Sequence, residues 1–420
     1  MNFYLYNASK LHSQSEKEAA MAYCTYLPDG AERKKQNNTD MLSDKQAFAQ
    51  AKPHILQWPS APKSAPGTGD WPAYAPRSDK GQPAHAGTGL AGDSAPLLLS
   101  QRASPGKSIR EEMPRAVNVY GDAVACVRKH MPFLIFKKKI LLGEMEETAS
   151  TIVESLSRNR EALLCLTRFY RHKVYMYSHL VNVGIMLAAF SLDFGRSQSE
   201  SAIACVSGLL HDSGMALLPL SILQSSTELT PTEKILLKRH PAMACDLFAE
   251  TPEMYNDVFL AALEHHEHFD GQGYPGGLSG NTVSFIGYLT AIASAYDAMT
   301  SRRRHNLTPL CSHDALSEMF RQRSKQFHPA ILENFIRLVG VFPIGTVVLL
   351  RDGYYGVVSS NAPDLPLRPT VLLIRDPKGR PMEPVECDMA REPVAPIVRG
   401  VSPDELGIDV HRLLGIPASP

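Results

Sequence analysis

Residues 208–219 read GLLHDSGMALLP, an apolar helical run that closes on an imidazole and a carboxylate, His211 and Asp212, before Gly214 and a second apolar stretch. Titratable side chains at the end of a buried helix need a partner, because burial penalises an unpaired charge. Nitrogen and oxygen donors side by side are the ligand set of borderline first-row divalent metals, and a carboxylate can bridge two ions where an imidazole cannot. Asp212 is therefore the natural bridge, and the fold has to be one that delivers further donors to it.

Working outward, the polar residues that interrupt apolar stripes are His179, His211, Asp212, His240, His265 and His266. A single helical histidine is more often a hydrogen-bonded core or surface residue than a ligand. Several of them at the ends of consecutive helices are harder to dismiss. Residues 264–278, EHHEHFDGQGYPGGL, contain the adjacent pair. Neighbouring side chains on a regular helix diverge by about 100°, so His265 and His266 can face one centre only near a helix end. Gly271, Gly273, Gly276 and Gly277 give the chain freedom to turn there. On this stretch alone, a helix cap followed by a surface loop remains an equal reading. The GxGxxG spacing within GQGYPG is not a dinucleotide fingerprint, since no strand precedes it.

The surrounding pattern is helical. Apolar residues recur at three and four spacing in 140–157 (ILLGEMEETASTIVESLS) and in 160–195, with Gly195 as the stop. Thr230, Pro231 and Glu233 form a start signal with a capping box. Thr251 and Pro252 open a helix through 252–268, and others are expected near 284–301 and 312–326. After Pro343 the period falls to two, in TVVLL, YYGVVSS, PTVLLIR and MEPVECDM, separated by the turns RDG and DPKG. Residues 51–107 are rich in Pro, Gly, Ser and Ala, a composition that buries too little apolar surface to offset ordering entropy. The expected fold class is mainly α: a helical bundle with a small C-terminal β-rich segment and a largely disordered N-terminal region. The boundaries expected are 1–115 for that region, 116–340 for the helical domain, 341–395 for the β-rich appendix, which carries no nameable chemistry, and 396–420 for a tail.

Composition narrows the function. The chain has 420 residues, 44% of them hydrophobic, and its 43 basic and 43 acidic residues cancel. Neutrality gives no electrostatic reason to expect a nucleic acid polymer or an anionic membrane as partner. The seven cysteines are odd in number and include no CxxC pair, which argues against a disulfide framework and for a reducing cytoplasm. The N-terminus lacks a basic stretch followed by an apolar core, and the longest apolar run, VGIMLAAFSL, is too short to cross a bilayer. A soluble, cytoplasmic protein is expected.

The order His179, HDSG, LTPTEKILLKRHP, HHEHFDGQGYPGGL, AYDAMTS closely resembles the HD-GYP family, a branch of the HD metal-dependent phosphohydrolases, over about residues 164–340. The segment from VFPIGTVVLL onward resembles the C-terminal extension of one subgroup. The resemblance implies an HD-type helical bundle holding two divalent ions, iron or manganese, that hydrolyses cyclic di-GMP in signalling. It implies His179, His211 and Asp212 on one metal, and Asp212, His240, His265 and His266 on the other, with His211 and Asp212 as the catalytic pair. Gly273, Tyr274 and Pro275 correspond to the loop beside the substrate, and Arg303 stands where the family has a phosphate-contacting arginine. Arg302 and Arg304 crowd that position, so membership of a solvated basic run is an equal reading.

Three positions depart from the family pattern. Met215 stands where the family has a lysine, Ser294 where an aspartate completes the first metal site, and Tyr175 where three-metal members have a glutamate. A third ion is not expected, and Ser294 reduces the expectation to one ion if the first group fails. Asp297 lies one turn beyond Ser294 on the same helical face and could reach inward, but the family has an aspartate there as well. Two readings stay open, a working phosphodiesterase and an impaired member that acts as a cyclic di-GMP receptor or scaffold, with HD-type hydrolysis of another phosphoester as a smaller third. The partners expected are a cyclic dinucleotide and a diguanylate cyclase or other signalling protein.

Overall fold

Helix α1 (Ile109–Lys137) begins seven residues before the expected boundary at 116. The computed structural model describes residues 108–417, apart from 138–139, 171–174, 224, 226, 252, 302–308, 363–364, 366 and 393. The Pro/Gly-rich segment 51–107 and Arg303 lie outside the described residues. By contact, Lys129–Lys138 belong to a different unit from the rest of the described chain.

After α1 come α2 (Leu142–Arg158), α3 (Arg160–Phe169), α4 (Tyr175–Asp193) and α5 (Gln198–Leu210). The periodic run 160–195 is thus two helices: Tyr170 is extended, at φ −88° and ψ 121°, and ends α3. Gly195 stops α4 as expected, at φ +73°, with its N–H on Leu192 and that of Arg196 on Ser191. Helix α4 is apolar on every side and buried from Ser178 to Ser191, the signature of a central helix. Its 19 residues are long and apolar enough to span a bilayer by composition, a length missed by the ten-residue run VGIMLAAFSL; 78% of its most apolar window is packed inside the protein. Helix α5 crosses it closely. A Cβ on Gly208 would stand 2.6 Å from the Gly184 backbone, so glycine at both positions permits the contact.

Past α5, a 3-10 turn (Ser213–Leu217) leads to α6 (Leu220–Leu223), α7 (Pro231–Leu237) and α8 (His240–Phe248). Thr230 and Glu233 cap α7 with the reciprocal bonds read from the sequence. Helix α9 (Asn256–Glu264) starts about four residues later than the Thr251–Pro252 signal suggests: the Thr251 N–H instead bonds Phe248, closing the preceding helix. Helices α10 (Phe285–Thr300), α11 (Ser312–Arg321) and α12 (Pro329–Val339) complete the bundle. Helix α11 stops short of Gln326 because the chain turns through Ser324, which adopts φ +64°.

The C-terminal part is a five-stranded antiparallel sheet in the order β4-β3-β2-β1-β5. Its strands are β1 (Val347–Leu350), β2 (Tyr355–Ser360), β3 (Thr370–Arg375), β4 (Pro381–Asp388) and β5 (Ile397–Val401). The register Val347↔Val357 and Val347↔Val401 places β1 between β2 and the edge strand β5. Val348, Val358 and Val371 pack on one face, and Val347, Val357 and Val401 on the other. Residues 397–414, within the expected tail of 396–420, are therefore not a tail. They supply β5, α13 (Pro403–Leu406) and α14 (Val410–Leu414), whose Val410 closes the second face. The sequence missed them because one short strand and two short helices carry too few periods to register.

Candidate metal centre

Each donor reaches the centre from a helix end. Helix α5 ends at Leu210, His211 is its C-cap, and Asp212 precedes the 3-10 turn. Gly214 lets that turn pass against the start of α8, since a Cβ there would fall 1.9 Å from the His240 carbonyl oxygen. His240 opens α8, and His265 is the C-cap of α9, so the regular helix has ended where the adjacent pair must converge. His179 comes from the first turns of α4.

Asp212 is the hub. Its Oδ1 lies 3.1 Å from His240 Nε2 and 3.3 Å from His265 Nε2, and its Oδ2 lies 3.6 Å from His179 Nε2 and 3.8 Å from His211 Nε2. Two donor groups result, Asp212 with His240, His265 and His266, and Asp212 with His179 and His211. Within each group the ligand atoms lie within 4.8 Å of one another. These are the six side chains singled out in the sequence, drawn together across 88 positions.

The other ring nitrogens decide what the site can hold. Nδ1 of His211 donates to Gly208 O at 2.7 Å, that of His240 to Leu237 O at 2.7 Å, and that of His265 to Ala262 O at 2.8 Å. His179 Nδ1 donates to the Asp297 carboxylate at 2.7 Å. A histidine whose Nδ1 carries the proton presents a lone pair at Nε2, the tautomer used for metal ligation. Four such lone pairs here face a carboxylate, and His240 Nε2 and His265 Nε2 are only 3.3 Å apart. Like-signed density at that range requires a positive charge between them, either extra protons or a cation. Nε2 of His211 is buried without a hydrogen-bond partner. The donor set fits divalent ions.

Burial holds the His211 ring neutral, with a pKa near 3, and holds His266 well below the usual histidine range. Burial pushes the Asp212 carboxyl upward, but the histidines around it outweigh that, His240 and His265 by donating hydrogen bonds whenever extra protons rather than a cation sit on their Nε2 atoms, and they hold the carboxyl well below its ordinary range. Neutral rings at His211 and His266 beside an ionised Asp212 are protonation states that suit a divalent ion.

The departures have definite places. Ser294 Oγ is 3.4 Å from His179 Nε2, so a hydroxyl occupies the edge of the first donor group. Asp297 does not reach inward. It is 3% exposed and fully engaged, with Oδ2 accepting from His179 Nδ1 and from the Tyr175 hydroxyl at 2.9 Å, and Oδ1 accepting from Asn182 at 2.7 Å. Tyr175 thus bonds the residue that orients His179. Met215 sits in the 3-10 turn, partly exposed.

The glycine-rich loop lies beside the second group. Tyr274 stacks on His266 with ring centroids 4.6 Å apart, and its N–H bonds the His266 carbonyl. A Cβ on Gly273 would come within 2.3 Å of His268 N. Two acids that sequence reasoning did not single out hold this region. Glu267, 1% exposed, accepts from Gly276 N at 2.6 Å and Leu278 N at 2.9 Å, and buried Glu264 accepts from Ser284 N at 2.8 Å at the start of α10. Their signal was present in EHHEH, as acids interleaved with ligands on a buried helix end.

Comparison with known proteins identifies two domains in the chain. Residues 165–331 match an HD domain, a span that contains all six donors, and residues 347–408 match a KOW domain associated with HD domains. The chain carries an HD domain followed by a KOW domain. It is 28% identical over 320 residues to a cyclic di-GMP phosphodiesterase of Pseudomonas aeruginosa, covering 74% of this chain and 75% of that one. It is 31% identical over 198 residues to the cyclic di-GMP phosphodiesterase response regulator RpfG of Xanthomonas campestris pv. campestris, covering 47% and 50%. It is 26% identical over 205 residues to 3'3'-cGAMP-specific phosphodiesterase 2 of Vibrio cholerae, covering 48% and 37%. The chain therefore spans half or less of the length of the second and third relatives. The β-rich segment, which carries no chemistry readable from its sequence, is the KOW part.

Proposed function

We propose that the chain is an HD-GYP protein: a cytoplasmic, metal-dependent phosphodiesterase that hydrolyses cyclic di-GMP in bacterial second-messenger signalling. The convergence of five imidazoles around Asp212 carries the reading, and the relatives named as cyclic di-GMP and cGAMP phosphodiesterases support a cyclic dinucleotide as substrate. Nitrogen-rich donors with one carboxylate suit first-row divalent ions, and the family resemblance points to iron or manganese among them. Divalent ions in the two groups would acidify an attacking water and take up charge developing on the phosphoryl oxygens.

The chain's own contribution is orientation. Asp212 offers one oxygen to each group, the backbone carbonyls of residues 208, 237 and 262 fix three imidazoles, and Asp297 fixes the fourth. Tyr274, seated on His266, and the loop tied down by Glu267 form the wall on which the nucleotide would lie. A diguanylate cyclase or another signalling protein is the further partner expected.

Ser294 favours a second reading, a receptor that binds the nucleotide without cutting it, because the first group contains one carboxylate only. Metal analysis and cyclic di-GMP turnover with added manganese or iron separate the two. Two ions per chain, with hydrolysis abolished in His240→Ala, support the enzyme. One ion, retained nucleotide and no product support the receptor. A protein that binds neither metal nor nucleotide sinks both.

A further inference from the structure

Helix α1 lies outside the matched HD domain, residues 165–331, yet it places a side chain on the path that orients a metal ligand. The Tyr120 hydroxyl is 2.8 Å from Asn182 Oδ1 and 3.1 Å from the Tyr170 carbonyl. Asn182, one turn past His179 on α4, directs Nδ2 to Asp297 Oδ1 at 2.7 Å and to the Thr167 carbonyl at 3.0 Å. Both are acceptors, so the amide can sit only one way round, with its oxygen toward Tyr120. Tyr120 therefore donates, and the bonds run in one sense from Tyr120 to Asn182 to Asp297, whose other oxygen receives Nδ1–H of His179.

Tyr120, Asn182, Asp297 and His179 are 3%, 2%, 3% and 5% exposed. Bonds in such surroundings are stronger than in water, and each polarises the next. Losing one leaves a buried acceptor without its donor rather than exchanging it for water. Tyr170, which shares the Tyr120 hydroxyl and stacks edge-on with its ring at 5.6 Å, bonds Pro417 through its own hydroxyl. Tyr120 is thus at the junction of α1, the end of α3 and α4.

We propose that Tyr120 is a positioning residue for the metal centre: through Asn182 and Asp297 it fixes the ring of His179, so the metal affinity of the first donor group depends on how α1 is seated against α4. The inference rests on the proposed function only in taking the donor groups as metal sites. It gives any event that shifts α1 a physical route to the centre.

The test is manganese affinity of the full chain, measured by calorimetry with the metal alone. Tyr120→Phe removes one oxygen and keeps the ring. It is expected to weaken binding at one of two sites by roughly 3–10-fold, at or below the range for outer ligand-orienting groups. Tyr255→Phe, which removes a hydroxyl bonded to Glu146 away from the centre, is expected to leave affinity unchanged. Should Tyr120→Phe fold poorly, Asn182→Asp preserves the shape while replacing the donor to Asp297 with an acceptor, and is expected to weaken the same site at least as much. Equal affinity in wild type and a folded Tyr120 or Asn182 variant, or an equal loss in Tyr255→Phe, overturns the proposal and leaves the phosphodiesterase reading standing. A wild-type protein that binds no manganese overturns both.

Discussion

The hydroxyl of Ser294 lies 3.4 Å from Nε2 of His179, the nitrogen that faces Asp212. A neutral oxygen therefore stands where a second carboxylate would complete the first donor group. Its neighbour one turn on, Asp297, cannot substitute, because both of its oxygens already accept hydrogen bonds from His179, Tyr175 and Asn182.

Restoring the charge should restore the site. Ser294→Asp is expected to raise manganese affinity at the weaker of two sites by on the order of 10–100-fold, comparable with the loss when a ligand-supporting group is removed. Combined with Met215→Lys, it should increase cyclic di-GMP turnover. Calorimetry and product analysis report both effects; a folded double variant with neither would show that Ser294 is not the weak point.

Gly214 is predicted to tolerate no side chain. A methyl group there would stand 1.9 Å from the His240 carbonyl oxygen and 2.8 Å from Ala244 N, both backbone atoms at the start of α8. Gly214→Ala should cost about 1–3 kcal/mol, the usual range for forced overpacking, and should weaken metal binding as His240 is displaced. Thermal melting and metal titration measure these together. An unchanged melting temperature would mean that α8 moves aside without loss.

Glu267 should govern the loop and not the metals. Glu267→Gln turns one of two acceptors facing Gly276 and Leu278 N–H into a donor, forfeiting bonds to a charged group worth about 1.5–3 kcal/mol each. Faster amide exchange across 270–280 and weaker nucleotide binding are expected at undiminished metal content. Loss of metal with an intact loop would contradict that division.

Acid should destabilise the metal-free protein from near neutrality downward. Burial holds the His211 pKa near 3 and that of His266 well below 6.5, their value outside the fold. Between about 3 and 6.5 the unfolded chain binds more protons than the native one, so stability falls as pH falls through that window. Asp297 and Asp212, both held below 3.8, add losses of the same sign below that value. Melting temperatures should drop steadily from pH 7.5 to pH 5, and a flat profile would argue that these rings are hydrated.

By itself the sequence determined which residue types could act and where helices must stop. The HDSG turn, the adjacent histidines before a glycine-rich loop, the Thr230 cap and the Gly195 stop are local, and local sterics and hydrogen bonding suffice to read them. Period-two segments gave four of the five strands for the same reason. What only the tertiary structure decided is which atoms meet. Asp297 has the same helical face as Ser294 on paper, but its direction was set by His179, Tyr175 and Asn182, which arrive from α4. Glu264, Glu267 and Tyr120 look like ordinary polar residues until packing removes water from them. Donors scattered from 179 to 266 become a centre only because glycines at 184, 208 and 214 let helices approach within backbone contact, a property of helix pairs that no single segment of chain contains.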